Sequence, residues 1–246
     1  MLRAAHLVEP RTGKRIDNAV IVVDSGRIVS VTSGGAVPAG ATLIDLGNTT
    51  VLPGLIDVHT HLSGESHDYY TDLFRHSAID DAVRAHVYAK RTLEAGFTTV
   101  RDVGAPELID VALRNAINEG VVEGPRMLVA TLALSATGGH GDLNGFSPYV
   151  HVQRMSNIAD GVDEVRKAVR VNVKYGADWI KVLASAGVLS EEESVGAPQY
   201  SQEELNAIVA EATTWGRKVA AHAHGAEAIK RATRAGWSRG RGTAGR

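Results

Sequence analysis

Two pairs of histidines and one buried-type lysine hold the chemistry that this sequence can do. In GLIDVHTHL (54–62) His59 and His61 stand one residue apart at the end of an apolar run, and VAAHAHG (219–225) repeats the pattern with His222 and His224. Side chains two apart on a strand project to the same side, so each pair points into whatever cleft lies at its strand end. Two imidazoles on one rigid strand can chelate a divalent cation, although a single H-x-H can equally be a hydrogen-bonded pair under a loop. The second pair, at the same end of another strand, favours a catalytic rim. His222 is expected to be the ligand, with His224 outside the coordination shell or touching substrate.

Lys181 lies inside WIKVLAS, between Ile180 and Val182, where a charged ammonium is costly to bury. On an edge strand it could face water. In a parallel sheet covered on both faces it needs a partner or a changed protonation state. Carboxylation of the amine by CO₂ would turn it into an anion able to bridge two cations.

The elements that position these residues follow from periodicity. β-Branched runs at 19–23 and 27–31, joined by Asp24-Ser25-Gly26, predict a hairpin, and ATLIDL (41–46) a further strand. Residues 1–50 are therefore expected to form a small, partial, β-sandwich-like domain, and 51–236 a separate one. There, strands at 51–59, 98–103, 126–134, 179–185 and 218–224 alternate with helices marked by Ile109/Leu113/Ala116/Ile117, Val162/Val165/Val169/Val173 and, after a Ser201-x-x-Glu204 capping box, Leu205/Ile208/Val209/Ala212. This alternation fits an open doubly wound sheet or most of a (β/α)₈ barrel.

Composition narrows the partners. Lys plus Arg number 26 against 28 Asp plus Glu, a net charge of -2 that gives no reason to expect nucleic acid or an anionic membrane. There is no cysteine, which excludes disulfides, thiolate metal sites and a Cys nucleophile. No signal-peptide pattern opens the sequence and no apolar run is long enough to span a bilayer, so the expectation is a cytoplasmic protein, with a homo-oligomer possible in principle.

The segments GLIDVHTHL, TTVRDVG, SATGGHGD, GADWIKVLASAGVLS, PQYSQEEL and KVAAHAHGAEAI resemble the amidohydrolase superfamily, in its branch of Xaa-Pro dipeptidases and imidazolonepropionase-like members. The resemblance runs in order over nearly the whole chain. It implies a metal-dependent hydrolase on a (β/α)₈ TIM barrel, of which about five strands are present. It makes His59 and His61 ligands of the more buried metal, Lys181 the carboxylated bridge and His222 a ligand of the second metal. Two divalent cations, zinc by expectation, would activate water against a scissile C–N bond in a dipeptide or N-acyl amino acid. Lys181 and His222 are thus the expected catalytic pair. Asp57 and Asp102 are expected to orient ligands or loops, and His140, on the Gly-rich loop after the third strand, to bind substrate. A cyclic-amide hydrolase, a mononuclear deaminase of the same fold and a catalytically inactive fragment are the alternatives.

The tail WSRGRGTAGR departs from the pattern. The resemblance implies a sixth strand with another metal-ligand His and an eighth with a catalytic Asp, whereas residues 237–246 have no β-branched run, no His and no acid. The expectation is an incomplete enzyme, interrupted by a frameshift, gene-model break or cloning break near Gly236, with a short non-catalytic paralogue as the second explanation.

Overall fold

The computed structural model describes residues 1–65, 68–151, 156–187 and 194–237. The expected tail, apart from Trp237, lies outside the described residues. The chain divides into two compact units, Met1–Gly54 and Leu55–Arg246.

In the first unit, β1 (Leu2–Glu9) pairs antiparallel with β2 (Lys14–Asp24), and β2 with β3 (Arg27–Ser33). The β2–β3 turn places Ser25 at φ 48° and Gly26 at φ 73°. Two successive positive φ values match the right-handed twist of a hairpin, which is why a glycine stands there. The short β4 (Ile44–Asp45) and β5 (Thr50–Val51) both run parallel to β1. The described strands form one mixed sheet, with Ala4 and Ala19–Ile21 buried.

The second unit opens with β6 (Leu55–Thr60), followed by α1 (Tyr69–Arg75), α2 (Ala78–Glu94), β7 (Phe97–Asp102), a 3₁₀ turn at Pro106–Leu108, α3 (Ile109–Asn118) and β8 (Arg126–Val129). It continues with β9 (Leu134–Ser135), β10 (Asn157–Ile158), α4 (Gly161–Lys174), β11 (Trp179–Leu183), α5 (Gln202–Thr214), β12 (Lys218–His222) and α6 (Ala226–Ala235). Every ladder here is parallel, in two sheets of order β6-β7-β8 and β10-β9-β11-β12. This is α/β barrel architecture, not closed by the described strands.

The expected strand at 126–134 is broken in two. Thr131 is buried with φ 60°, and its amide donates to the Asp110 carboxylate at 2.8 Å instead of to a neighbouring strand. The sheets are tied across the break by the Asp178 amide donating to the Val129 carbonyl at 2.8 Å, by the Val129 amide donating to the Asp178 carboxylate at 3.0 Å, and by the Arg114–Asp178 ion pair. Other strand ends shift as well: the first barrel strand starts at Leu55 instead of Val51, β11 stops at Leu183, and β12 stops at His222. His224 is therefore outside the strand that was expected to carry it.

The helices form where their apolar stripes meet the sheets. Val165 and Val169 of α4 and Ile208 and Ala212 of α5 pack on Ile180, Val182 and Val219. Ala85 and Ala89 of α2 with Ile109 and Leu113 of α3 cover Val100, Met127 and Val129. The expected Ser201–Glu204 capping box is present, with Ser201 accepting from the Glu204 amide and Glu204 accepting from the Ser201 amide. Because alternate residues of β7, β11 and β12 face these helices, Arg101, Trp179, Lys181 and His222 take the opposite face.

Candidate active site

His59 and His61 stand where the β6–β7 ladder is irregular. Asp57 pairs with Val100 and Thr60 with Asp102, so Val58 and His59 together oppose Arg101. Two residues against one is a β-bulge, which re-aims a side chain and leaves backbone groups without ladder partners. Those groups are met by side chains: the His59 amide donates to Asp57 Oδ1 at 2.9 Å, and Arg101 Nε donates to the Val58 carbonyl at 2.7 Å. The His59 and His61 rings lie edge to face, centroids 5.4 Å apart. His61 Nδ1 is 2.8 Å from the Gly104 carbonyl. A carbonyl only accepts, so Nδ1 carries the proton and Nε2 keeps its lone pair.

Asp102 holds the same segment from behind. Wholly buried, it accepts from the Leu62 amide at 2.6 Å and from Thr60 Oγ1 at 3.5 Å. Among the described residues its Oδ1 meets no donor in hydrogen-bonding geometry, although the Gly104 amide lies close enough to favour the charged form. Burial, with nearby Asp110 adding like charge, pushes its pKa up to about 7.

Lys181 retains only 3% of its surface and has no hydrogen bond or ion pair among the described residues. Burial, and next the Arg101 guanidinium, bring its pKa down to about 8. His222 pairs in register with Leu183, and its Nε2 lies 3.3 Å from the Ala186 carbonyl. Its ring is 4.5 Å from that of His140 and 4.6 Å from that of His224, centroid to centroid. Burial holds His222 and His59 near pKa 4, helped by His140 for the former and Lys181 for the latter. Both imidazoles are neutral at physiological pH, the state that coordinates metal.

A cavity of about 420 Å³ gathers His59, His61, His140, Lys181 and His222 on one lining. His224 is not on it: its amide donates to Ser185 Oγ at 3.0 Å while its ring rests against His222. Asp57 and Asp102 also stay off the lining, and each accepts from a backbone amide, of His59 and Leu62 respectively. Glu65, Asp72, His76 and Asp81 form another part of the wall and were not foreseen, because α1 and the start of α2 reach the cavity only by tertiary folding. The His140 loop is anchored where its amide donates to Gln199 Oε1 at 2.9 Å.

Among the described residues no three His, Asp or Glu side chains converge closely enough to hold an ion by themselves. The donor set includes Lys181, which becomes a ligand only once carboxylated. On chemistry the set fits divalent metal: three neutral imidazoles, one with Nε2 left open by its Nδ1 bond, and a buried amine without an acceptor.

A model of the amidohydrolase family matches residues 50–244. Ochratoxinase of Aspergillus niger is 35% identical over 253 residues, covering 94% of this chain and 52% of that protein. The crystal structure of a Xaa-Pro dipeptidase with methionine bound in its active site has a TM-score of 0.89 at 35% identity, over 96% of this chain and 59% of that one. A prolidase complexed with N-methylphosphonate-L-proline has a TM-score of 0.88 at 35% identity, over the same shares. The chain spans about half the length of the curated relatives it matches. With paired histidines, a buried lysine and parallel α/β strands converging on one cavity, and a family match over most of its length, this chain belongs to the amidohydrolase family.

Proposed function

We propose that the protein is a metal-dependent hydrolase of C–N bonds, acting on a dipeptide of the Xaa-Pro type or on an N-acyl amino acid. The carrying observation is Lys181, a buried amine without an acceptor among the described residues, on the same cavity wall as three neutral histidines. With a pKa near 8, on the order of a tenth of it is neutral at pH 7 and able to attack CO₂. An N–C bond forms, the amine proton leaves to solvent, and a carbamate anion remains.

His59, His61, carboxylated Lys181 and His222 would hold two divalent cations, zinc by expectation. When bound, the cations supply Lewis acidity for a carbonyl oxygen and lower the pKa of water. The bulge at Val58–His59 and the Gly104 carbonyl fix the two strand-end imidazoles, so that little rotamer freedom is lost on binding. His140, which lies beside His222 on the cavity wall, would donate to a substrate carboxylate. The cavity volume suits a ligand of dipeptide size. The relatives whose structures carry methionine or a proline phosphonate support that size and class. No described helix is long and apolar enough to cross a membrane.

The test uses the full-length protein. Xaa-Pro dipeptides and N-acyl amino acids are assayed with wild type and Lys181→Ala, alongside bound zinc by elemental analysis. Loss of metal and of hydrolysis in Lys181→Ala, partly restored by small carboxylic acids, is the expected result. Wild-type metal content and rate in Lys181→Ala would overturn the reading.

A further inference from the structure

We propose that Arg101 and Trp179 form a strut that sets the separation between the strand carrying His59 and the strand carrying Lys181, which makes Arg101 a positioning residue for the metal ligands. The inference rests on the reading of those residues as ligands.

Three observations carry it. Arg101 Nε donates to the Val58 carbonyl at 2.7 Å, so the guanidinium is fastened to the bulge immediately before His59. The carbon at the centre of the same guanidinium lies 4.5 Å from the centroid of the Trp179 ring. A guanidinium that close to an indole is held by cation–π attraction. Trp179 precedes Lys181 by two residues on one strand and therefore shares its face.

The placement matters because the two strands belong to different sheets. β6 and β7 lie in one, β11 in the other, and the backbone tie between those sheets runs through Val129 and Asp178. That tie is at the start of β11 and at the end of β8, separated from β6 by one strand in the order β6-β7-β8. The Arg101 side chain reaches both sheets at once. It replaces the ladder hydrogen bond that the bulge removes from Val58, and it presses on the layer just below Lys181. A guanidinium does both with one rigid plane, whereas an ammonium can donate to the carbonyl or sit over the indole with less directional hold. Lys218, with its Nζ 5.8 Å from the Trp179 centroid and its backbone in register with Trp179, adds a second cation to the same ring.

The test is made on full-length protein stripped of metal and titrated with zinc alone against a chromophoric chelator. Arg101→Met is expected to weaken zinc binding by about 10- to 100-fold, the range for residues that orient ligands. Arg101→Lys should recover part of that loss, and Trp179→Leu, which keeps the Val58 bond, should fall between wild type and Arg101→Met. Ile208→Val, a core change in α5 that packs on the helix-facing side of β11, opposite the face of Trp179 and Lys181, serves as a control that lowers the melting temperature while leaving the strut's own contacts in place, and its zinc affinity should stay at the wild-type level. Should Arg101→Met fail to fold, Trp179→Leu and Arg101→Lys decide the matter alone. Zinc affinity within twofold of wild type in the strut variants, or an equal loss in Ile208→Val, would overturn the strut. Wild-type protein that binds no zinc would overturn the metal reading itself, and the strut's role with it.

Discussion

The Nδ1 of His61 lies 2.8 Å from the carbonyl oxygen of Gly104, a bond that spans two strands and decides which imidazole nitrogen faces the cavity. Gly104 can offer that carbonyl because it adopts φ 146°, a conformation that L side chains rarely take. A Cβ there would meet His61 Cε1 at 3.7 Å, which is ordinary contact, so backbone strain is the main cost. Gly104→Ala is expected to lower stability by about 1–3 kcal/mol. It should also weaken zinc binding, because relief of the strain turns the acceptor away from Nδ1. Chemical denaturation and a zinc titration measure the two effects, and unchanged zinc affinity would show that the bond does not orient His61.

His222 and His224 are separable by experiment. His222 lines the cavity, while His224 follows the end of β12, donates its amide to Ser185 Oγ and backs His222 with its ring. His222→Asn should strip metal from the protein. His224→Asn should retain most of the metal and reduce turnover through a less firmly held His222. Elemental analysis ranks the two variants, and greater metal loss in His224→Asn would assign the ligand to the other residue.

Acid should act on the histidines late. Folded His59 and His222 titrate near pH 4, against 6.5 for an ordinary imidazole. The fold prefers their neutral forms, so this contribution to stability is complete above pH 6.5 and is lost progressively as pH falls toward 4. NMR titration of the metal-free protein should give both Cε1–H midpoints well below 6.5. Midpoints at the ordinary value would mean that the cavity is as wet as bulk solvent.

Much of this site is legible from spacing because strands alternate. Lys181 between Ile180 and Val182 announces an inward charge, and the histidine pairs announce a rim. His224 does not follow the rule, because the backbone leaves β12 at His222 and alternation ends with the strand. The break between β8 and β9 turns on Thr131, a β-branched residue that favours strands yet is held at positive φ by the Asp110 carboxylate. Arg101 carries the same signal as Lys181, a charge inside TTVRDV. Its partner is the backbone carbonyl of Val58, 43 residues away, which no pattern in the chain announces. The cavity wall at Asp72, His76 and Asp81 depends on how α1 and α2 lie over the strand ends, a tertiary outcome.

Asp102 offers a test in the opposite pH direction. Its carboxyl is wholly buried, lies near a second buried acid, Asp110, and has a pKa of about 7 where an ordinary aspartate has 3.8. The folded state thus binds the proton more tightly than the unfolded state, and the stability that follows is present below pH 3.8 and lost as pH rises through 7. Asn at this position keeps an oxygen to accept from the Leu62 amide and carries no charge to desolvate. At acid pH Asp102→Asn should be equal to wild type or less stable, since its second amide hydrogen has no acceptor in place of Oδ1. Toward pH 8 the variant should gain on wild type by roughly 2–4 kcal/mol, the free energy of a shift of about three pH units. Urea unfolding at pH 5 and pH 8 measures the crossing. Parallel stability curves for the two proteins would mean that Asp102 is ionised in the fold at both pH values, and that the Leu62, Thr60 and Gly104 contacts suffice to hold its charge.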